Sequence, residues 1–177
     1  MGAERPPNLI LVGLPGSGKT TVGRALAARL NREFIDFDEV IVQQEGMSVA
    51  DIFGSKGEPY FRSLERKLTG EVASRSGLVL APGGGWMANP DLVRMVRPPA
   101  LVVYLRITPE GAMRRLGEQR QARPLLMGPD PLSRLRILVA KRGAFYETAD
   151  AVIDVETLTP QGVIDSILEL TRKESAP

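Results

Sequence analysis

Gly13-Leu14-Pro15-Gly16-Ser17-Gly18-Lys19-Thr20 decides how this 177-residue chain is read. It matches G-x-x-x-x-G-K-[ST] and stands between the apolar run Asn8–Val12 and a helical pattern over Lys19–Leu30, with Val22, Leu26 and Leu30 on one face. Gly13, Gly16 and Gly18 let the backbone curl until several N–H groups point inward, and the helix N-terminus adds partial positive charge there. Such a turn holds nucleotide phosphates. Lys19 reaches the β- and γ-phosphates, and the Thr20 hydroxyl ligates magnesium.

Working outward, short apolar runs alternate with longer helical patterns, the arrangement of an α/β sheet. Strands are expected at Asn8–Val12, Glu33–Ile35, Leu78–Ala81, Leu101–Leu105 and Ala151–Asp154. They lack clean polar alternation, which points to a sheet covered on both faces and therefore parallel. A capping residue precedes Pro four times, at Asn89-Pro90, Thr108-Pro109, Asp130-Pro131 and Thr159-Pro160, and each pair marks a helix start. Ser48 with Asp51 resembles a capping box for a short helix through Phe53, and a longer helix is expected over Pro59–Arg75. From Gly117 to Asp130 the helical pattern breaks into a loop of lid-like length that carries Arg120 and Arg123.

Two further stretches carry chemistry. Asp36-Phe37-Asp38 follows the second strand, and two carboxylates two residues apart can point the same way. In a parallel sheet the strand C-termini meet beside the phosphate loop. One carboxylate can hold magnesium through water while the other orients a hydroxyl and takes its proton; alternatively Asp38 caps the next helix. Gly83-Gly84-Gly85 follows the strand Leu78–Ala81, where glycines expose N–H groups and admit a ligand close to the main chain. Arg62, Arg123 and Arg142 carry no pattern of their own, and a solvated surface is the ordinary place for an isolated Arg.

Composition narrows the chemistry. His and Cys are both 0, which removes histidine bases, thiolate nucleophiles and Cys- or His-based metal sites, and leaves hard oxygen-liking cations such as magnesium. Net charge is +2, yet Arg94–Arg142 holds ten Arg and one Lys against three acids, a local +8 set against −6 elsewhere. A basic half suggests an anionic ligand. Nucleic acid is not expected, since no aromatic residues are interleaved with the basic ones. Apolar runs are far shorter than the ~20 residues of a membrane span, and the N-terminus has no apolar signal core, so a cytoplasmic protein without membrane contact is expected.

Taken together, these stretches resemble the shikimate kinase family from about Leu9 to Leu170. The resemblance rests on Gly13–Thr20, Phe34–Asp38, Gly46–Phe53, Gly57-Glu58 with Phe61-Arg62 and Leu64-Glu65, Gly83–Gly85, Arg123–Leu126 and Arg142 with Tyr146. It implies an α/β P-loop three-layer sandwich like the nucleoside monophosphate kinases: a five-stranded parallel sheet in order 2-3-1-4-5, helices on both faces and a lid. One domain over 1–177 is implied, with core 8–171, lid about 117–130 and an acceptor-binding helical region about 38–66.

The resemblance also implies transfer of the ATP γ-phosphoryl group to the 3-hydroxyl of shikimate, in aromatic amino-acid synthesis, by a monomer that uses Mg2+. Gly13, Gly16, Ser17, Gly18, Lys19, Thr20, Thr21, Arg123 and Pro160 would meet ATP. Thr20, and Asp36 through water, would serve the metal. Asp38 would be the base, with Lys19 and Arg123 acting on the phosphates. Asp38, Arg62, Gly83, Gly84, Gly85 and Arg142 would bind the acceptor, the two arginines on its carboxylate. The family usually has small residues or Thr flanking the glycines, where this chain has Pro82 and Trp86, and Trp86 is expected to pack outward against the following helix. Arg114, Arg115 and Arg120 receive no role. Alternative readings are a kinase for another hydroxy-acid or polyol such as gluconate, and a non-catalytic nucleotide-binding regulatory module.

Overall fold

Four apolar residues, all buried, form β1 (Leu9–Val12), and four more form β3 (Leu78–Ala81). Strands this short with no exposed side chain can only sit inside a sheet covered on both faces. The computed structural model, which describes residues 6–117 and 123–174, places them so. β1 lies at the centre between β3 and β4 (Leu101–Arg106), with β2 (Glu33–Asp36) and β5 (Ala151–Asp154) at the edges. The order is β2-β3-β1-β4-β5, and every pairing is parallel, with Leu9 opposite both Val79 and Leu101. The expected strands therefore stand, with β2 and β4 each running one residue further and β1 starting one residue later.

Eight helices connect and cover the strands among the described residues: α1 (Lys19–Leu30), α2 (Phe37–Glu45), α3 (Val49–Lys56), α4 (Glu58–Ala73), α5 (Pro90–Val96), α6 (Pro109–Leu116), α7 (Pro131–Tyr146) and α8 (Pro160–Glu174). α1 packs with α8, while α2 and α3 lean on α4, which packs with α5. Three of the four Pro-led helices are capped as their sequence suggests. Thr108 accepts from Gly111 N at 3.0 Å, Asp130 from Ser133 N at 3.0 Å and Thr159 from Gly162 N at 3.1 Å. The Asn89 side chain makes no cap bond to α5. Ser48 accepts from Asp51 N at 3.1 Å, but its hydroxyl donates to the Asp51 carboxylate at 2.6 Å, so the pair closes on itself rather than as a reciprocal box. Of the expected lid, Glu118–Ala122 with Arg120 lie outside the described residues. Its remainder enters a short 3-10 turn, Pro124–Leu126, whose buried Leu126 packs against α3 and α7.

Trp86 departs from its expected place. Its ring does not pack outward. It is 1% exposed, in the core, and its Nε1 donates to Thr69 Oγ1 of the preceding α4 at 3.0 Å. A buried indole must satisfy its N–H, and Thr69 is the acceptor within reach.

One buried polar side chain ties this framework together. Asn8 donates from Nδ2 to Arg75 O at 2.8 Å, just past α4, and accepts from Leu78 N at 2.9 Å at the start of β3. Asn8→Ala leaves both partners without a bond, each costing about 1–3 kcal/mol. The midpoint of denaturant unfolding should fall with an unchanged slope, and an unshifted midpoint would contradict this role.

Candidate active site

The strand C-termini open into one cavity of about 890 Å³, walled by the phosphate loop, Asp36, Asp38, Arg62, Gly83–Gly85, Arg123, Arg142 and Pro160. At its floor, Gly13, Gly16 and Gly18 hold φ of +149°, +84° and +94°, angles that a side chain would strain. Gly18 is the N-cap of α1 and supplies no side-chain bond, so the first helical N–H groups face the cavity. Gly16, Ser17, Gly18, Lys19, Thr20 and Thr21 all line the wall. Gly13 does not; it lies behind it, where a Cβ would stand 2.6 Å from Leu105 O. Lys19 Nζ donates to Gly13 O at 2.9 Å and Leu14 O at 3.0 Å.

The two aspartates divide their work. Asp36, rather than Asp38, caps α2: its Oδ1 accepts from Asp38 N at 3.0 Å. Its Oδ2 accepts from the Thr20 hydroxyl at 2.6 Å. A hydroxyl and a carboxylate oxygen thus meet at the edge of the phosphate loop. Asp38, in the first turn of α2, projects into the cavity, with Arg123 Nη1 at 3.7 Å from its Oδ2. Burial and the neighbouring Asp36 charge push the Asp38 carboxyl up, against the pull of Arg123, Lys19 and Arg62. Burial and the Arg123 charge lower Lys19 to about 8, while Asp38 and Asp36 oppose the change.

At the other end the glycine run has ordinary negative-φ geometry; its glycines are absent from the positive-φ set. Glycine is needed there for close approach. A Cβ on Gly83 would lie 2.7 Å from Glu65 Oε1, on Gly84 3.2 Å from Arg142 Nη1, and on Gly85 2.6 Å from Arg62 Nη2. Arg62 from α4 and Arg142 from α7 therefore both press on this loop, as a pair converging on one anion requires. Arg62 also pairs with Glu65 at 2.5 Å and Glu58 at 2.7 Å.

Three residues at the site had no role in the sequence reading. Glu65 is fully buried and its Oε1 has no hydrogen-bond partner; burial pushes its carboxyl up, with the Asp38 charge adding and Arg62 opposing. Tyr146 donates its hydroxyl to Gly84 O and stacks on Tyr104 at 4.9 Å, and burial raises its phenol to about 12, so it stays a donor. Its spacing of four from Arg142 on α7 was the available signal. Arg115 donates to Val155 O at 2.6 Å and lines the cavity beside Pro160. Arg114 instead pairs with Glu156 at 3.0 Å outside the cavity wall.

The chain matches the shikimate kinase family model over residues 15–172. The chain belongs to the shikimate kinase family. It is 42% identical to a shikimate kinase of Symbiobacterium thermophilum over 164 residues, 92% of this chain and 94% of that one. It superposes on a shikimate kinase from Acinetobacter baumannii, solved in complex with shikimate, with a TM-score of 0.90 at 36% identity, covering 97% and 96% of the two chains. A gluconokinase from Sinorhizobium meliloti, at 18% identity and TM-score 0.61 over 97% and 94%, shares the fold alone. As in other members of a kinase family, ATP is the co-substrate.

The charge states of this shikimate kinase site set a pH profile. Were Asp38 the base it would have to be ionised, so kcat/KM should climb as pH rises through its raised pKa. A phosphate-holding Lys19 would have to be protonated, so kcat/KM for ATP should fall above about 8. Bound phosphate favours the charged amine, so the alkaline limb of kcat alone should lie higher. An alkaline limb in kcat/KM for ATP that stays flat to pH ~10, near an unperturbed lysine, would contradict this role for Lys19.

Proposed function

We propose that this chain transfers the γ-phosphoryl group of ATP to the 3-hydroxyl of shikimate, giving shikimate 3-phosphate and ADP in the route to aromatic amino acids. One observation carries the reading. Asp38 projects into a single cavity with the phosphate loop at one end and two arginines on a glycine loop at the other. The acceptor's carboxylate fits between Arg62 and Arg142, which bind a planar anion as guanidinium forks do. Its ring hydroxyls then face Asp38.

Asp38 takes the proton as the hydroxyl oxygen bonds to the γ-phosphorus and the bond to the β–γ bridging oxygen breaks. Lys19 and Arg123 stabilise the charge on the transferring group. The Thr20 hydroxyl and Asp36 fit Mg2+, Asp36 through water. Among the described residues no cluster of three metal-binding side chains exists, which suits an ion held mostly by phosphate and water. When bound, that ion neutralises phosphate charge. Arg115 and Pro160 border the nucleotide's far end.

The proposal includes a monomeric enzyme. No described helix is long and apolar enough to cross a membrane, and a cytoplasmic setting suits a chain that phosphorylates a soluble metabolite. The basic half is largely paired with carboxylates, Arg97 with Asp150, Arg114 with Glu156 and Arg136 with Glu110, rather than arrayed for nucleic acid.

A coupled assay with ATP, magnesium and a panel of shikimate, gluconate and nucleoside monophosphates tests the reading. Shikimate should be phosphorylated and the others not; turnover of gluconate alone, or of nothing, overturns it. Lys19→Ala should cost about 10²–10³ in kcat and Asp38→Asn about 10²–10⁴. Arg62→Ala and Arg142→Ala should each raise the shikimate KM by an amount worth about 2–5 kcal/mol and leave the ATP KM nearly unchanged. A weakened ATP KM in both arginine variants would sink the carboxylate assignment.

A further inference from the structure

We propose that Trp86 is a positioning residue for acceptor binding, its indole fixing the spacing between Arg62 and the glycine loop. This rests on the reading of Arg62 and Gly83–Gly85 as the acceptor's carboxylate site.

Trp86 is part of the glycine turn: its N–H closes the turn on Gly83 O at 3.0 Å, and the 3-10 segment Trp86–Ala88 begins with it. Its ring leaves the cavity and takes no part in its wall. It runs instead to α4, where Nε1 donates to Thr69 Oγ1 at 3.0 Å. Thr69, 0% exposed, is fully engaged, because its hydroxyl also donates to Glu65 O at 2.7 Å. Thr69, Glu65 and Arg62 follow one another at spacings of four and three, and so share one stripe of α4. The indole therefore grips that stripe two turns below Arg62, in a dry environment where no water can replace the bond.

Two arginines on different helices can share one carboxylate only if their separation is set. Arg142 and Tyr146 bring α7 to the loop at Gly84; Trp86 brings α4 to it two residues later. The turn from Gly83 to Ala88 is the common reference for both arginines. A small residue at position 86 could not span the gap to Thr69. Misplacing a charged partner by ~1 Å is enough to weaken acceptor binding measurably.

Trp86→Phe keeps a ring and removes the donor; Thr69→Val keeps the shape and removes the acceptor. Each should raise the shikimate KM about 3–10-fold, the effect of one neutral hydrogen bond, with the ATP KM and kcat within about twofold. The double variant should be no worse than the worse single one, because both remove the same bond. Isothermal titration calorimetry gives the shikimate Kd of the unaltered, Trp86→Phe and Thr69→Val proteins. A lower melting temperature with unchanged shikimate KM and Kd, or equal losses for ATP and shikimate, overturns the proposal in favour of plain core packing.

Hydrogen exchange on the ligand-free proteins separates the proposal from the reading beneath it. Amides of residues 62–69 and 83–88 should exchange faster in both variants, with α1 unchanged. If the unaltered enzyme does not phosphorylate shikimate, the reading of the site fails while the exchange result decides the clamp alone. Unchanged exchange at both segments overturns the clamp.

Discussion

Gly13, Gly16 and Gly18 hold φ angles of +149°, +84° and +94°, and the turn from β1 into α1 exists because they do. A Cβ at Gly13 would press on Leu105 O at 2.6 Å, and one at Gly16 on Ala112 O and Leu116 Cγ at 2.9 Å. The loop is thus wedged against the end of β4 and against α6, not draped over them. Its inward N–H groups make the floor of the cavity suited to an anion, and everything else in the cavity is measured from that point. Lys19 and Thr20 follow without a break because they are the first residues of the helix that the loop starts.

From there the chemistry passes through one carboxylate to another. Asp36 spends one oxygen on the N-terminus of α2 and the other on the Thr20 hydroxyl. By capping α2 it sets the direction in which Asp38 leaves the first turn. Burial, with the repulsion of the neighbouring Asp36 charge added to it, raises the Asp38 carboxyl, while Arg123, Lys19 and Arg62 keep it from rising further. A base with a raised pKa accepts a proton more readily, which suits the small proton demand of phosphoryl transfer.

The basic half of the sequence is neutralised in space. Arg97 finds Asp150 at 2.5 Å, Arg106 finds Asp154 at 3.8 Å and Arg114 finds Glu156 at 3.0 Å, all acids that lie beyond the basic span in the chain. Such exposed pairs contribute little stability, about 0–1 kcal/mol each. Their consequence is subtraction: with these cations occupied, the arginines of the basic span that face the cavity, among the described residues, are Arg115, Arg123 and Arg142, joined there by Arg62.

What the sequence determined by itself is the part whose geometry is local. The phosphate loop reads correctly because eight consecutive residues encode their own backbone path. The strands read correctly because burial on both faces demands unbroken apolar runs, and Thr108, Asp130 and Thr159 cap helices whose first N–H groups are only three residues away. The acceptor end was legible only through the family resemblance, and tertiary structure is what brings its residues together. Arg62, Glu65, Gly83–Gly85, Arg142 and Tyr146 come from three separated segments, and no spacing relates them. Trp86 shows the reason most plainly. From the chain it borders a glycine run and a following helix, and packing outward against that helix is the expectation. Its ring turned to α4 because a buried indole N–H needs an acceptor, and Thr69, seventeen residues earlier, reaches it only once β3 has carried the chain back beside that helix.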